Sequence, residues 1–280
     1  MECLTEGEKN SILMIVCVIS ICFGIVVILL SLLPKIFEPL TRYILINLSI
    51  NSILNNSSFL IGLSATGNFC ISVSYIKSCL LIPGVLFSSL IPQTLHSVFV
   101  KNKSLSYRPF KFCLILSYII IPLMSLLPFS TNSYDNEEYK CSGLKKYTEG
   151  IIWRFLLIYT PSVSIIIRVL VYYAQLYKKL RNYEEFSYWS FFIDRGLIYS
   201  LAYLIIFIQL TVARIIQLAS DSCAADWFLF SGICCIFMIG TFNAIVTLSR
   251  KDVIYSILFI LKIKSRRYSN SEYVRVIINE

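Results

Sequence analysis

The fold of this chain is decided by residues 12–33, which read ILMIVCVISICFGIVVILLSLL and contain no charged side chain. As a helix rising about 1.5 Å per residue, this stretch is long enough to cross a bilayer core about 30 Å thick. It is too long for the apolar part of a secretion signal. The residues before it carry Glu2, Glu6 and Glu8 against one lysine. We therefore predict a first spanning helix and no cleaved signal.

The whole chain has the composition of a membrane protein. Of its 280 residues, 57% are apolar and 15% are charged, and the mean hydropathy is +0.73. A soluble domain has about 25% charged residues, and its surface does not carry this much apolar area. The composition therefore excludes soluble enzymes, nucleic-acid-binding domains and secreted disulfide-rich scaffolds.

Six further apolar stretches follow the first, separated by short polar segments. Backbone groups in hydrocarbon must bond within their own segment, so these stretches are predicted to be helices. The predicted fold class is an all-α membrane protein, a seven-transmembrane helix bundle filling residues 12–249. The predicted spans are 12–33, 40–64, 73–100, 111–129, 151–177, 195–219 and 227–249. Outside the bundle we expect an extracellular N-terminus (1–11), a short C-terminal amphipathic helix on the inner interface (250–262) and a cytoplasmic tail (263–280).

The basic residues determine the predicted orientation. Of the 25 Lys and Arg residues, seventeen fall in one set of loops and the tail, five in the opposite set, and three within spans. Loops rich in Lys and Arg stay in the cytoplasm, so the N-terminus is predicted outside and the C-terminus inside. We expect the inner charges to contact anionic membrane lipid. Docking of an acidic cytosolic partner is the alternative role.

The residue types exclude several membrane chemistries. The chain has one histidine, His96, whereas a seven-span zinc hydrolase or a paired-histidine haem site needs more. Segment 227–249 contains no lysine, which excludes a retinal Schiff base. No span contains Asp or Glu apart from Asp194 at a boundary, which weakens the case for a proton-coupled transporter. We expect no catalysis, no cofactor and no metal.

Three arginines lie within the predicted spans, where charged side chains are costly and usually face the bundle interior. They are Arg154, Arg168 and Arg214, and Lys77 lies near the outer mouth of the bundle. Because the spans hold no acid to neutralise them, we interpret the four cations as candidate contacts of an anionic extracellular ligand. The alternative is that they pair with backbone carbonyls and lipid phosphate.

The second span carries a repeated asparagine. Asn47, Asn51 and Asn55 recur every four residues and form one stripe along a helix. Such a stripe is typical of hydrogen bonding between membrane helices. Together with Asn243 of the seventh span, it predicts a polar core in the bundle. An ion pocket is the alternative interpretation.

Four of the ten cysteines fall in segments predicted to lie outside, where oxidation allows disulfides. They are Cys3, Cys70, Cys141 and Cys223. Cys70 comes just before the third predicted span, and Cys141 lies midway along the loop between the fourth and fifth. A bridge between these two would tie the loop over the bundle. Cys79 competes with Cys70 for Cys141.

Local motifs follow one another in the order known from a receptor family. The best match is WRFLLIYTP at residues 153–161, in the fifth span. Residues 42–50 (RYILINLSI) match the opening of the second helix, and residues 240–244 (GTFNA) match the seventh. Counting from Cys70 brings residues 94–96 to the place of a Tyr-Leu pair. With seven spans, these motifs resemble the cyclic-AMP-receptor-like and secretin-like branch of the G protein-coupled receptors.

The resemblance implies a plasma-membrane receptor that passes the binding of an extracellular ligand to a heterotrimeric G protein, with a disulfide between Cys70 and Cys141. It also implies that the inner ends of the third, fifth and sixth helices are presented to the G protein, with the inner segments 101–111 and 178–195. The candidates are His96, Lys101, Lys103, Arg108, Lys178, Lys179 and Arg181. The third helix is not followed by an Asp-Arg-Tyr element, which argues against the rhodopsin-like branch. A seven-helix transporter and a membrane scaffold without signalling are the alternative functions.

Overall fold

The structure, a computed structural model, describes most of the chain as helices joined by short connections. The described residues are 5–33, 37, 39–65, 67–102, 106–135, 141, 143–144, 148–180, 205–206, 208–213, 216, 223–249 and 253. Each of the seven predicted spans contains helix within this described part. The predicted seven-helix bundle is therefore confirmed.

The seven helices are numbered by the span that each one forms. The bounds of the first three are Glu6–Leu32 for α1, Pro39–Ser64 for α2, and Gly67–Leu95 with a π-helical end at His96–Val100 for α3. The segments of α4 are Arg108–Ile115, the π-helix Leu116–Ile120, Ile121–Met124 and the 3₁₀-helix Leu127–Thr131. The segments of α5 are Thr148–Arg154, the π-helix Phe155–Tyr159 and Thr160–Leu180. The described parts of α6 are 205–206, 208–213 and 216, and those of α7 are Cys223–Phe237 and Ile239–Leu248, bent by 47°.

The described helices are suited to a bilayer. Five of them are long and apolar enough to cross a membrane, and the bent α7 raises the number to six when its two parts count as one span. Their outward surfaces expose large apolar side chains such as Leu29, Phe112 and Leu156. In a soluble protein such surfaces would aggregate. The chain is therefore a multi-pass membrane protein.

Helices α1 and α3 each begin six residues before the spans predicted from hydropathy, at Glu6 and Gly67 instead of 12 and 73. The Thr5 hydroxyl and the Glu8 carboxylate form a reciprocal capping box, which starts α1 ahead of the apolar run. Gly67 adopts a positive φ of 59°, a conformation that suits glycine, at the point where α3 begins. Cys70 therefore lies inside α3, which corrects the expectation that it precedes the helix. Hydropathy misses such ends because capping residues are polar.

π-helical segments interrupt α4 and α5 and form the end of α3, and each lies near a proline. Pro122 follows the π-helix of α4, Pro161 follows that of α5, and Pro92 precedes that of α3. A proline has no amide hydrogen, and its ring crowds the carbonyl four residues earlier. In α4 and α5 that carbonyl lies within the π-helix, whose wider turn makes room for the ring without ending the helix. Pro92 comes before the π-helix of α3, so this explanation does not apply there.

Helix α3 lies at the centre of the bundle. Its Val85 packs in one apolar cluster with Ile166 of α5, Leu210 of α6 and Leu229 of α7. Its Phe87 and Leu90 pack in a second cluster with residues of α2 and α4, namely Leu40, Ile44, Leu48, Phe110 and Cys113. Helix α3 therefore shares apolar clusters with five other helices.

One residue of the predicted interfacial helix 250–262 is described. Val253 is fully buried against Val27 of α1, Leu45 of α2 and Ala244 of α7, together with Phe37 from the connection between α1 and α2. The rest of that predicted helix and the predicted tail lie outside the described residues. Val253 shows that the chain after α7 turns back onto the inner end of the bundle.

Candidate functional site

The outer end of the bundle is covered by the connection between α4 and α5, which carries a short hairpin. Its strand β1 is Tyr134–Asp135 and its strand β2 is Gly143–Leu144, paired antiparallel with Tyr134 opposite Leu144. Residues near these strands contact α3, α4 and α5. We call the set of ties that hold this connection the outer clasp, and its members are Cys70, Lys77, Cys141, Leu144 and Arg154.

A disulfide is the covalent part of the outer clasp. Cys70 and Cys141 are bridged with their Cα atoms 5.0 Å apart, and both residues are buried. Cys79 is a free, half-buried thiol, so the choice of Cys70 is confirmed. Cys141 adopts a left-handed backbone with φ of 55°, which is unusual for a residue with a side chain. The bridge fixes the connection to the start of α3.

Lys77 is the second tie of the outer clasp. Its Nζ donates a hydrogen bond of 2.8 Å to the carbonyl oxygen of Cys141 and lies 4.7 Å from the centre of the Phe59 ring on α2. Gly62 of α2 makes room for it, because a Cβ there would come within 3.0 Å of Nζ. Lys77 thus joins α3, α2 and the connection. An ammonium group has three donors, so this carbonyl uses only one of them.

Arg154 is the third tie. It is buried, and its guanidinium donates to the backbone carbonyl of Leu144 at the end of β2. The neighbouring Trp153 Nε1 donates to Thr131 Oγ1 at 2.9 Å, which joins the start of α5 to the end of α4. The Arg154 bond holds the backbone of the outer connection, and the Trp153 bond joins the helices on either side of it. Lys77 and Arg154 thus pair with backbone carbonyls, as in the alternative interpretation of these cations.

Aromatic side chains form the floor beneath the hairpin. Tyr134 donates to the carbonyl of Ser125 at 2.7 Å, and Tyr75 donates to the carbonyl of Pro122 at 3.1 Å. The Tyr134 ring lies 4.7 Å from that of Phe129, centre to centre. Burial raises the pKa of the Tyr134 phenol above its ordinary value. The floor is therefore neutral and closely packed at ordinary pH.

The polar core of the bundle differs in detail from the predicted asparagine stripe. Asn47 lies towards the membrane, where its Oδ1 accepts from Tyr118 of α4 at 3.1 Å. Asn51 and Asn55 line a cavity of about 30 Å³ between α2, α3 and α7. Asn243 is buried on α7. Residues four apart on a helix drift around its axis, so the three asparagines reach different neighbours.

Asn56, which the four-residue repeat leaves out, bonds directly across helices. Its Nδ2 donates to Ser20 Oγ of α1 at 3.2 Å, to the Ser52 carbonyl at 2.8 Å and to Ser52 Oγ at 3.3 Å. Gly240 of α7 lies against the same two serines. We call Ser20, Ser52, Asn56 and Gly240 the polar notch. The sequence signal that could have pointed to the polar notch is the presence of small residues, serine and glycine, in three of the spans.

At the inner end, His96 joins α3 to α5. Its Nε2 lies 2.6 Å from Oε1 of Gln175, and its ring stacks on that of Tyr172 with 4.5 Å between centres. His96 is buried, so it contacts α5 and not the surface where a partner would bind. Among the other predicted inner residues, three are exposed, namely Lys101, Arg108 and Lys178, and Lys179 is half-buried. Lys103 and Arg181 lie outside the described residues.

Arg168 lies near this inner cluster and not at the outer mouth. Its Nε donates to the Tyr172 hydroxyl at 2.6 Å, and its guanidinium carbon is 5.3 Å from the centre of that ring. The side chain is exposed. The structure therefore brings Lys77 and Arg154 together at the outer clasp and separates Arg168 from them. Arg214 lies outside the described residues.

Comparisons with known proteins show the fold. Neither a protein-family model nor a curated protein sequence matches the chain. Among solved structures, the crystal structure of squid rhodopsin matches with a TM-score of 0.68 and 13% sequence identity, over 94% of this chain and 88% of that one. The chain thus has the seven-helix fold of a rhodopsin. At this identity the likeness shows the fold alone, and it does not support the cyclic-AMP-receptor-like branch.

Proposed function

We propose that the chain is a plasma-membrane receptor that passes the binding of an extracellular ligand to a heterotrimeric G protein. The observation that carries the proposal is the pairing of a seven-helix fold like that of squid rhodopsin with two differently built ends. The outer end is closed by a disulfide-linked connection, whereas the inner end exposes lysine and arginine. A receptor needs this asymmetry, because it meets its ligand on one face and its partner on the other.

The proposed ligand contacts the outer end and is anionic. Lys77 supports this, because its ammonium spends one donor on the Cys141 carbonyl and is only half-buried. Arg154 holds the backbone of β2 and shapes the mouth. In this proposal Arg214 supplies a second cation. Arg168, which is near Tyr172 and His96, takes no part in binding at the outer face.

The proposed mechanism is a shift between two arrangements of the bundle. His96 and Gln175 hold the inner ends of α3 and α5 together in the arrangement described here. A ligand that binds the other arrangement more tightly would separate these ends and open a cavity for the G protein. Lys101, Arg108 and Lys178 then meet the acidic face of the partner. Membership of the cyclic-AMP-receptor-like and secretin-like branch rests on the sequence motifs and is part of the proposal.

Nucleotide exchange on purified heterotrimeric G proteins tests the function. The full chain in lipid nanodiscs should accelerate exchange above empty nanodiscs for at least one class of G protein. Gln175→Leu removes the bond to His96 and should raise the ligand-free rate by about threefold or more, since a hydrogen bond contributes about 1 kcal/mol.

Gln93→Leu is the matched control for that variant. It makes the same change on α3 near the inner end, where the Gln93 side chain is half-buried. Its rate should equal that of the unaltered chain. Folded protein that leaves exchange unchanged, both unaltered and as Gln175→Leu, would overturn the coupling proposal. Ligand-independent flux of a solute through the same protein in vesicles would favour a transporter instead.

A further inference from the structure

The guanidinium of Arg168 lies on the membrane-facing surface of the bundle. It belongs to α5, and its side chain is exposed although the helix is one of those suited to cross a bilayer. Its Nε is engaged by the Tyr172 hydroxyl at 2.6 Å. The described residues offer no hydrogen-bond partner to its two Nη groups. A charge at such a position is costly unless something neutralises it.

Among the described residues, the helices around Arg168 supply no counter-charge near it. Across α3, α4 and α5, which are described over their whole lengths, the one acidic side chain is Glu149 at the outer end of α5. At a rise of about 1.5 Å per residue, it is roughly 28 Å along the helix from Arg168.

Three residues hold the guanidinium in place. Tyr172 is one helical turn closer to the inner end of α5 than Arg168, so the bond between them draws the guanidinium inwards. The Tyr172 ring is itself fixed by stacking on His96, which bonds to Gln175. These contacts fix the position of the guanidinium and leave its two Nη groups available. The two groups lie side by side, which is the geometry that receives two oxygens of a carboxylate or phosphate.

The depth of the group suits a lipid. Tyr172 lies roughly 12 Å before the end of α5 at Leu180, at about 1.5 Å per residue. In the predicted orientation this is the inner leaflet, just below the level of its head groups. Lys111 is exposed near the inner end of α4 and adds positive charge on the same side. A dissolved anion would have to leave water to reach Arg168, whereas a lipid is already there.

We propose that Arg168 is the centre of a binding site for the phosphate head group of an acidic phospholipid of the inner leaflet, with Tyr172 as the residue that orients it. The site is separate from the proposed ligand mouth at the outer clasp and needs no G protein. For Arg168 it favours the alternative interpretation of the intramembrane cations, pairing with lipid phosphate, over contact with the extracellular ligand.

Lipid binding to the purified full chain tests the site. Delipidated protein in neutral detergent is titrated with phosphatidic acid or phosphatidylcholine, and bound lipid is counted by native mass spectrometry. The unaltered chain should bind one phosphatidic acid more tightly than the rest and show no such step with phosphatidylcholine. Arg168→Gln should weaken that first binding about tenfold or more, since it removes charge-assisted bonds.

Two further variants show whether the lipid binds at a specific site or is attracted to any positive charge at the inner surface. Tyr172→Phe keeps the ring on His96 and removes the hydroxyl, so it should weaken binding by about threefold to tenfold. Lys178→Gln removes an exposed charge from the same helix and should change binding by less than about twofold. The midpoint of thermal unfolding is measured for every variant. Should Arg168→Gln not fold, Tyr172→Phe decides the matter.

Three results would overturn the proposal. The first is unchanged phosphatidic acid binding in folded Arg168→Gln or in Tyr172→Phe. The second is an equal loss in Lys178→Gln, which would mean that any inner cation serves. The third is displacement of the lipid by inorganic phosphate at millimolar concentration, which would make a dissolved anion the occupant. None of these results depends on whether the chain activates a G protein.

Discussion

Replacing Gly240 with alanine tests whether the polar notch sets the distance between α7 and the pair α1 and α2. A Cβ built at this position would lie 2.3 Å from Ser52 Oγ, 2.5 Å from Ser20 Oγ and 3.2 Å from the Ser20 carbonyl oxygen. Real Cβ atoms do not approach other atoms as closely as the first two distances. The hydroxyls would have to turn away, and the backbone contact would have to open.

The size of the effect follows from three contributions. Turning the two hydroxyls away breaks the Asn56 bonds to Ser20 Oγ and Ser52 Oγ, at about 0.6 kcal/mol each. The contact with the Ser20 carbonyl remains and adds overpacking of about 1–3 kcal/mol. Alanine is the better helix former by about 0.5–1 kcal/mol, which offsets part of this. The free energy of unfolding should fall by about 1–4 kcal/mol.

Thermal unfolding in detergent measures this loss. A thiol-reactive dye reports unfolding, because Cys17 and Cys113 are free and buried in the folded chain. The midpoint should drop by roughly 2–7 °C for a protein of this size. Gly7→Ala is the matched control, since nothing lies within 4 Å of a Cβ there, and its midpoint should not fall.

A second variant shows whether the contact itself causes the loss. Ser52→Ala removes the oxygen that comes closest to the new methyl group, so Ser52→Ala with Gly240→Ala should lose less than the two single changes added together. Their coupling should reach at least about 0.5 kcal/mol, as for residues in contact. An unaltered midpoint in Gly240→Ala, or strictly additive losses, would refute the reasoning.

The outer end allows three more predictions. Cys70→Ala should lower the free energy of unfolding by about 4 kcal/mol, which is the loop-entropy value for a separation of 71 residues. The control Cys79→Ala should cost less than about 1 kcal/mol. Equal losses of the two variants on thermal unfolding would contradict the pairing. Lys77→Met leaves the Cys141 carbonyl without its donor and should cost about 1–3 kcal/mol in the same assay, and no loss would mean that this bond does not hold the connection. The pKa of Tyr134 is raised in the folded chain, so folded protein keeps this proton above pH of about 10, where the unfolded chain loses it. Stability should therefore fall as pH rises above about 10, and Tyr134→Phe should remove that part of the slope; an identical slope in the variant would show that another group causes it.

Hydropathy was sufficient for the fold because bilayer thickness requires long apolar helices, and the sequence contains seven. Hydropathy could not show which face of each helix points into the bundle and which faces lipid. In a soluble protein the apolar side of a helix turns inwards, but lipid-facing residues such as Ile15 of α1 are as apolar as buried ones such as Leu13. The asparagine repeat in α2 could therefore not reveal that Asn47 faces α4 and the membrane while Asn56 bonds to α1.

The candidate site was predictable where a covalent bond or a motif carried it. Cys70 and Cys141 follow from the motif count and are bridged in the structure. The partners of Lys77 and Arg154 are backbone carbonyls of the outer connection. Every residue offers such a carbonyl, so no side-chain pattern distinguishes the ones that accept. The same holds for Arg168, whose place depends on Tyr172 and on how α3 meets α5.

The polar notch also has a bearing on how the chain is made. Ser20, Ser52 and Asn56 leave the ribosome early, whereas Gly240 is among the last parts of the bundle to be synthesised. Until α7 is synthesised, the part of the polar notch that α1 and α2 form has no contact with Gly240. A chain cut short before residue 240 would keep most of the bundle and still lack the piece that completes its beginning.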